Sequence, residues 1–227
     1  MKLALSPLIG DARGSSGGLS VFSSRAGLCA RVKVTPFQPL TPAQLLQRAS
    51  LATISQTWKT PAMASYRAGW IILAANNPYT DVFGVQHKLS GSAFFAKLNR
   101  NLETLAISVI LLAPSTLICG SPGLLTLAHV VGPPEQFNVN PTTQPASTEA
   151  VVIRATGPLS PGRQTLSNSQ TIIQTFPAGT TSPWNIDTNY KKKHSTVATG
   201  SQIFVLVNYV NTTTGFAGQQ SIDALIW

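Results

Sequence analysis

Apolar residues recur every three to four positions between residues 41 and 106, which is the period of helices that pack on one side. Thr41 begins this stretch as an N-cap, with proline at the first helical position and glutamine three residues after the cap. A helix is therefore predicted from Thr41 to about Trp58. The same Thr-Pro-Ala start recurs at Thr60 and predicts a second helix that ends near Asn76.

A third helix is predicted after Ser90, which is its N-cap. Its apolar side chains are expected on one face, at Phe94, Leu98, Leu102 and Leu105. The intervening sequence YTDVFGVQHKLSG predicts a hairpin or loop that turns near Gly84. Together these segments predict a small helical unit over residues 41–106, with about three helices and a hairpin at 79–89.

From about residue 107 the apolar period shortens to two, the period of β-strands. Six short runs are separated by clusters of Pro, Gly, Asn and Thr: GLLTLAHVVG, QFNVN, AVVIRATG, QTIIQTF, QIFVLVNYVN and QSIDALIW. This spacing is typical of an antiparallel sandwich. We expect an immunoglobulin- or fibronectin-III-like β-sandwich over residues 107–227, without the Cys-Trp-Cys pattern of true immunoglobulin domains.

Residues 1–40 follow neither period. The segment GSSGGLSVFSSRAGLCARVKV is rich in Gly and Ser and contains two strand-like patches, Leu19–Phe22 and Cys29–Val34. The two prolines that follow block a helix. Fully extended at ~3.3 Å per residue, the stretch from residue 12 to 40 reaches about 95 Å. The predicted fold class is therefore α+β, with an extended N-terminal arm, a helical unit and a C-terminal sandwich.

Composition points to a surface that neighbouring molecules cover. Hydrophobic residues make up 43% of the 227 residues and charged residues 10%, where about 25% charged is usual. The net charge is +9, and no Asp or Glu occurs between Asp11 and Asp81. The basic N-terminal third attracts polyanions or acidic surfaces. No DNA- or RNA-binding signature accompanies it, so structural charge is favoured and incidental nucleic-acid contact through the arm is the alternative.

The cysteines indicate neither a disulfide framework nor a metal site, and the apolar runs do not indicate a membrane-spanning helix. Cys29 and Cys119 lie far apart and fit no metal-ligand spacing, so both are interpreted as thiols, with a disulfide between them as the alternative. The N-terminal MKLALSPLIGDARG lacks a convincing signal-peptide cleavage site. The longest apolar run, from Leu105 to Ala113, is about half of the ~20 residues that a spanning helix requires.

A search for catalytic chemistry yields one formal motif. GSSGG matches the nucleophile elbow at Ser16, but that motif works on a strand-to-helix turn and the residues after it favour extended backbone. The three histidines share no ligand spacing and the seven acids are scattered. The KKKH run at 191–194 is predicted to be a solvated loop, with partner binding as the alternative. No catalytic, metal or cofactor site and no small-molecule substrate is predicted, and the protein is not expected to be an enzyme.

The order of several segments resembles a known group of proteins. An arm with GSSGGLSVFSSRAGLCARVKV precedes PLTPAQLLQRASLATISQTW, then LSGSAFFAKLNRNLETL, then a sandwich with GPLSPGR and VNTTTG. This order resembles virion-associated proteins of tailed bacteriophages and prophages, over most of the chain. The resemblance implies a structural role in or on the virion, where immunoglobulin-like modules are frequent, and it implies no functional residue.

The leading hypothesis is a phage structural protein that is made in the host cytoplasm and ends in the virion. A capsid-associated position, as a decoration, cement or minor capsid protein, is preferred. Its expected partners are copies of itself and other virion proteins, reached by strand addition through the arm. The residues expected to make these assembly contacts are Leu19, Val21, Phe22, Arg25, Arg31, Val32, Lys33 and Val34.

Three alternatives remain open at the level of sequence. A fibre module that binds carbohydrate or a cell surface would use Trp184 and Tyr190 as stacking platforms. A packaging factor would bind nucleic acid through residues 1–40. A self-assembling extracellular filament would use the same arm as the capsid protein.

Overall fold

The chain divides into two compact units, Met1–Leu45 and Leu46–Trp227. A computed structural model describes residues 14–16, 18–24, 27–33, 41–80, 85–132, 134–163, 170–195 and 197–227. The unit Leu46–Trp227 holds both the predicted helical section and the predicted sandwich, and is called the body below.

The first unit contains a three-stranded antiparallel meander. Its strands are β1 (Gly14–Ser16), β2 (Leu19–Ser24) and β3 (Gly27–Val32), in the order β1-β2-β3. Both strand-like patches are therefore strands, but the chain folds back on itself where the sequence predicts one extended arm. The reason is local, because antiparallel neighbours only a short turn apart satisfy their backbone groups within the segment.

The first predicted helix is confirmed as α1 (Pro42–Lys59), and the Thr41 hydroxyl accepts a hydrogen bond from the Gln44 amide at 3.4 Å. The predicted start of the second helix is wrong. Residues Pro61–Met63 form a short 3-10 helix and α2 follows at Arg67–Asn76. The hydroxyl of Thr60 donates to a carbonyl of the preceding turn, so it caps nothing.

The third predicted helix is confirmed as α3 (Gly91–Thr104), capped by Ser90, whose hydroxyl accepts from the Ala93 amide at 3.2 Å. A short hairpin of β4 (Tyr79–Thr80) and β5 (Gln86–His87) precedes it, and the predicted turn residue Gly84 lies outside the described residues. The three helices share a core of buried apolar side chains: Ile54, Met63, Trp70, Ala74, Phe94, Phe95 and Leu98.

All six predicted β-runs contain strands, which form two antiparallel sheets. They are β6 (Leu125–Val130), β7 (Gln136–Pro141), β8 (Glu149–Thr156), β9 (Gln170–Phe176), β11 (Gln202–Asn211) and β12 (Ser221–Ile226). The two-residue β10 (Trp184–Asn185) is not predicted from the sequence. The sheet orders are β10-β7-β6 and β12-β11-β8-β9, so the body is a mixed α and β structure compatible with a β-sandwich.

The inner faces of the two sheets enclose one core. Its largest fully buried members are Trp184, Tyr190, Tyr209 and Phe137. The opposite face of β11 is buried as well, at Phe204, Leu206, Asn208 and Val210. Helix α3 lies beside this outer face, where the Asn101 side chain donates to the Gly215 carbonyl at 2.9 Å. Strand β11 is therefore buried on both of its faces.

The KKKH run is not a loop, which corrects the expectation from the sequence. It is the last turn of α4 (Asp187–His194), a polar helix that buries Asp187 and Tyr190. Basic side chains are favourable at a helix C-terminus because they face its partial negative charge. Along β9, α4 donates from Asn189 to Gln174 at 2.9 Å and from Lys193 to the Ile172 carbonyl. This edge of the sheet is thereby covered.

Candidate functional site

The meander of the first unit, residues 14–33, carries most of the predicted assembly residues. Its antiparallel register pairs Leu19 with Val32 and Val21 with Ala30, so these four side chains share one face. The opposite face pairs Phe22 with Cys29. Among the described side chains of this unit, Ala30 is the buried one, whereas Val32 is 69% exposed.

Six of the eight predicted assembly residues lie on this meander, and Arg25 and Val34 lie outside the described residues. Three of their four apolar members are well exposed, with Leu19 at 48%, Phe22 at 40% and Val32 as given above, whereas Val21 is partly buried. The Arg31 guanidinium sits over the Phe22 ring at 5.6 Å, a cation–π contact that presents charge and ring together. The meander thus brings apolar and basic side chains onto one small sheet, and their role in assembly stays a prediction.

The helices of the body also expose apolar side chains. Helix α1 has 18 residues and buries one, Ile54, while Leu46 is 69% exposed. Helix α2 exposes Ile71 and Ile72, each by more than half. Apolar surface on the side of a helix away from its core is a common mark of an interaction surface. The sequence periodicity shows that a helix has apolar residues on two sides, but it does not show which side the fold covers.

The formal nucleophile motif does not form an elbow. Ser16 ends β1, and a turn at Gly18 leads directly into β2. A nucleophile elbow requires a strand followed by a helix, so the strand–turn–strand geometry rules out that interpretation of GSSGG.

All three histidines have structural contacts, and the His87 ring lies beside the Tyr79 ring with centroids 5.6 Å apart. His129 Nε2 lies 2.6 Å from the Glu135 carboxylate, and its ring stacks on Trp227 with centroids 3.8 Å apart. His194 Nε2 lies 2.8 Å from the Thr171 hydroxyl, and burial, followed by the nearby Lys193 charge, lowers the pKa of His194. Across the described part of the chain, no three or more His, Cys, Asp or Glu side chains form a group that could hold a metal ion.

Glu149, the first residue of β8, holds two neighbouring loops together beside Cys119. Its carboxylate accepts from the Gly120 amide at 2.5 Å and from the Ala146 amide at 3.0 Å. Burial, and then the Glu149 charge, raise the pKa of the Cys119 thiol to about 11. Because thiolate is the nucleophilic form, Cys119 is a poor nucleophile at neutral pH. Both cysteines are thiols in the structure.

The proposed carbohydrate platforms are not at the surface. Trp184 is 1% exposed and Tyr190 is fully buried. The Trp184 indole donates to the Thr180 carbonyl at 3.2 Å, and the Tyr190 hydroxyl donates to the Thr156 carbonyl at 2.9 Å. Both rings belong to the core between the sheets, so the expectation that they stack on a sugar is wrong.

No helix within the described ranges combines the length and the apolar character needed to cross a membrane. Comparison of the chain with protein-family models, with curated proteins and with solved structures gives no match.

Proposed function

We propose that the chain is a structural protein of a tailed-bacteriophage virion, associated with the capsid as a decoration, cement or minor capsid protein, and that it assembles through its N-terminal arm. One observation carries this proposal. The meander leaves three of its apolar side chains, Leu19, Phe22 and Val32, at 40% exposure or more.

A one-layer sheet of this size gains little from folding alone. Its strands have three to six residues, and small sheets need a hydrophobic face packed against another layer for independent stability. Covering the face that holds Leu19 and Val32 would supply that layer. The meander is therefore best suited to pack on a partner surface, which is the behaviour expected of an assembly element.

The low charge of the whole chain supports the same proposal. With 10% charged residues, much of the surface has few groups that resist close approach of a neighbour. The exposed apolar residues of α1 and α2 add further contact area on the body. Arg31 and Lys33 on the meander suit an acidic partner surface, since opposite charge steers and orients association.

We further propose that residues 107–227 of the body form a fibronectin-III-like sandwich. The strand order supports this proposal, because the first, second and fifth strands (β6, β7, β10) form one sheet and the remaining four form the other. The order within the second sheet, β12-β11-β8-β9, places the last two strands beside the third and fourth. Sandwich modules of this kind present loops and faces for protein contacts.

Self-assembly is tested with two matched double variants of the full chain. Leu19→Thr with Val32→Thr removes apolar surface from the meander but keeps β-branched residues that favour strands. Leu124→Thr with Val131→Thr removes exposed apolar surface from the body. Light scattering after size-exclusion chromatography, with negative-stain microscopy, is expected to show ordered assemblies for the wild type and the body variant, and monomers for the meander variant.

A wild-type chain that stays monomeric at all concentrations would show that the meander does not drive self-assembly. The capsid part of the proposal is tested separately by mass spectrometry of purified virions. We expect the chain to co-purify with the capsid in a fixed stoichiometry. Assemblies in solution together with absence from virions would favour the extracellular filament.

A further inference from the structure

A polar groove runs along the outer face of the four-stranded sheet, between α1 and α3 on one side and β9 and α4 on the other. It consists of two openings, of about 450 and 670 Å³, which share Gln47, Thr104 and Ile172 and so form one continuous groove. Its lining contains four cationic side chains, Arg100, Arg154, Lys192 and Lys193. Glu103 is the one carboxylate among these lining residues.

Arg154 is the cation that the fold itself least explains. It lies on the outer face of β8, half-buried, and its guanidinium donates to the Asn208 side-chain oxygen at 3.2 Å. Within the described residues no carboxylate forms an ion pair with Arg154, and burial lowers the pKa of its guanidinium. A half-buried charge without a counter-ion costs stability, and a bound anion would offset that cost.

A second cation, Lys193, contacts the strand that pairs with the strand of Arg154. Ile172 of β9 is the cross-strand partner of Arg154, and the Lys193 ammonium donates to the Ile172 carbonyl. Cross-strand neighbours have Cβ atoms about 5 Å apart. Lys193 and Arg154 therefore both neighbour Ile172, and the Arg154 guanidinium itself is directed to Asn208 on β11. Lys192 next to them is exposed.

Arg100 completes the groove from the opposite wall. Its guanidinium contacts Gln47, Ser50 and Glu103, and Glu103 is occupied by Arg100 and Ser50. The Glu103 carboxylate, the single negative charge among the lining residues, is thus already paired with Arg100 of the same helix. The positive charge that remains belongs to Arg154, Lys192 and Lys193.

Stabilisation of α4 explains why some of the groove cations are present. Lys191, Lys192 and Lys193 lie in the last turn, where cations stabilise the helix. Lys191 is in addition paired with Asp187 at 3.0 Å. Helix stabilisation does not account for Arg154, which belongs to a strand and pairs with a hydrogen-bond acceptor but with no carboxylate of the described part of the chain.

We propose that this groove binds a phosphate group, carried by a nucleic-acid backbone or by a small phosphorylated molecule. The remaining cationic side chains of the lining come from two elements, β8 and α4. Several separate donors along one groove suit a tetrahedral anion with several oxygens better than a planar carboxylate, since one guanidinium fork satisfies a carboxylate. Among the described residues that line the two openings, none is aromatic. A bound nucleic acid would therefore be held by its backbone, without stacking of bases.

The first test uses two full-length double variants that lose the same charge. Lys192→Ala with Lys193→Ala removes two groove cations, and Lys59→Ala with Lys88→Ala removes two exposed cations outside the groove. The probes are a labelled single-stranded 12-nucleotide DNA, followed by fluorescence anisotropy, and inorganic phosphate, followed by calorimetry. We expect the groove variant to bind at least about tenfold more weakly, and the control to lose no more than about twofold.

Salt dependence gives a second readout with the DNA probe. Losing two phosphate contacts to a single strand should reduce the slope of log affinity against log salt concentration by about 1.4. The control variant should keep the slope of the wild type, because its lysines do not line the groove.

Arg154→Gln separates binding from folding. Glutamine still donates a hydrogen bond toward Asn208 but carries no charge, so the melting temperature should change by no more than about 3 °C. Binding of both probes should fall at least about tenfold. Arg154→Lys keeps the charge without the bidentate fork and should recover part of the affinity.

The two phosphate sources give different results. If the DNA binds far more tightly than inorganic phosphate and both depend on Arg154, the source is a nucleic-acid backbone. If inorganic phosphate binds and competes with the DNA at equal affinity per phosphate, the source is a small phosphorylated molecule. Equal binding by groove and control variants, no binding of either probe, or groove-dependent binding of polyglutamate alone would overturn the proposal.

Discussion

The strands of the meander and of the body both alternate apolar and polar residues, yet the large apolar side chains are mostly buried in the body and mostly exposed in the meander. In the body, Trp184 and Tyr209 are buried between two sheets and contact each other edge to face, with centroids 6.3 Å apart. In the meander, Leu19 and Val32 form a cross-strand pair and are both about half exposed or more. The alternation is the same, and the second layer makes the difference. A strand pattern alone therefore shows a face that must be covered, and a partner molecule is one way to cover it.

The largest effect should come from opening the core of the body. Trp184→Ala removes a fully buried ring that packs against Phe176 and Tyr209. Large-to-small changes of this kind cost about 3–5 kcal/mol through lost burial and the cavity that remains. Urea unfolding followed by circular dichroism measures the loss. Trp184→Phe keeps a ring and should cost clearly less, and equal losses in the two variants would mean that packing is not the cause.

The next effect tests the junction of the helices with the sheet. Gly215 has a φ of +70° and a Cβ there would overlap the Leu98 carbonyl of α3. Gly200 has a similar φ of +86° and open space around it. Gly200→Ala should therefore cost about 1–2 kcal/mol from backbone strain alone. Gly215→Ala should cost about 2 kcal/mol more, because the backbone of α3 must move.

The measurement for this pair is the free energy of unfolding of each full-length variant. Because both glycines have a positive φ, the difference between the two variants isolates the close approach of α3. Equal costs would show that the connection at Gly215 does not depend on contact with α3.

Sequence reasoning recovers the elements of the body well where a local signal exists. The caps at Thr41 and Ser90 are confirmed, and every predicted β-run contains a strand. The start of α2 is missed because the Thr-Pro-Ala pattern at Thr60 lacks the glutamine that completes the box at Thr41. The final turn of α4 is missed because its lysines show no apolar period, and the helix is instead anchored by the buried Tyr190.

The candidate groove is not predictable from the sequence, for a different reason. Arg154 lies in a hydrophobic β-run, and nothing local distinguishes it from a solvated arginine. That Arg154 and Lys193 line the same groove depends on the strand register between β8 and β9, and on a helix that covers the edge of β9. Contacts of this kind arise from tertiary structure, whereas periodicity and capping report on local structure.

A smaller effect is expected for the reactivity of Cys119, a partly buried thiol that packs against the core between the two sheets. The pKa of Cys119 is raised to about 11, first by burial and then by the Glu149 carboxylate. Since only thiolate reacts, alkylation by iodoacetamide at pH 8.5 should be at least about tenfold slower than for a small reference thiol. The rate should climb as the pH approaches 11. Peptide mapping by mass spectrometry follows the reaction, and a rate equal to that of the reference would contradict the burial.

The smallest effect is expected in the meander, at Leu19. Leu19→Ala removes a side chain that is already 48% exposed. The free energy of unfolding of the body, measured with urea, should therefore change by no more than about 0.5 kcal/mol. Assembly, in contrast, should weaken measurably in the light-scattering assay, since the change removes apolar contact area. A loss of stability as large as that of Trp184→Ala would show that Leu19 belongs to a core within the same chain. The difference between arm and body would then be one of degree, and the partner surface would not be needed to explain it.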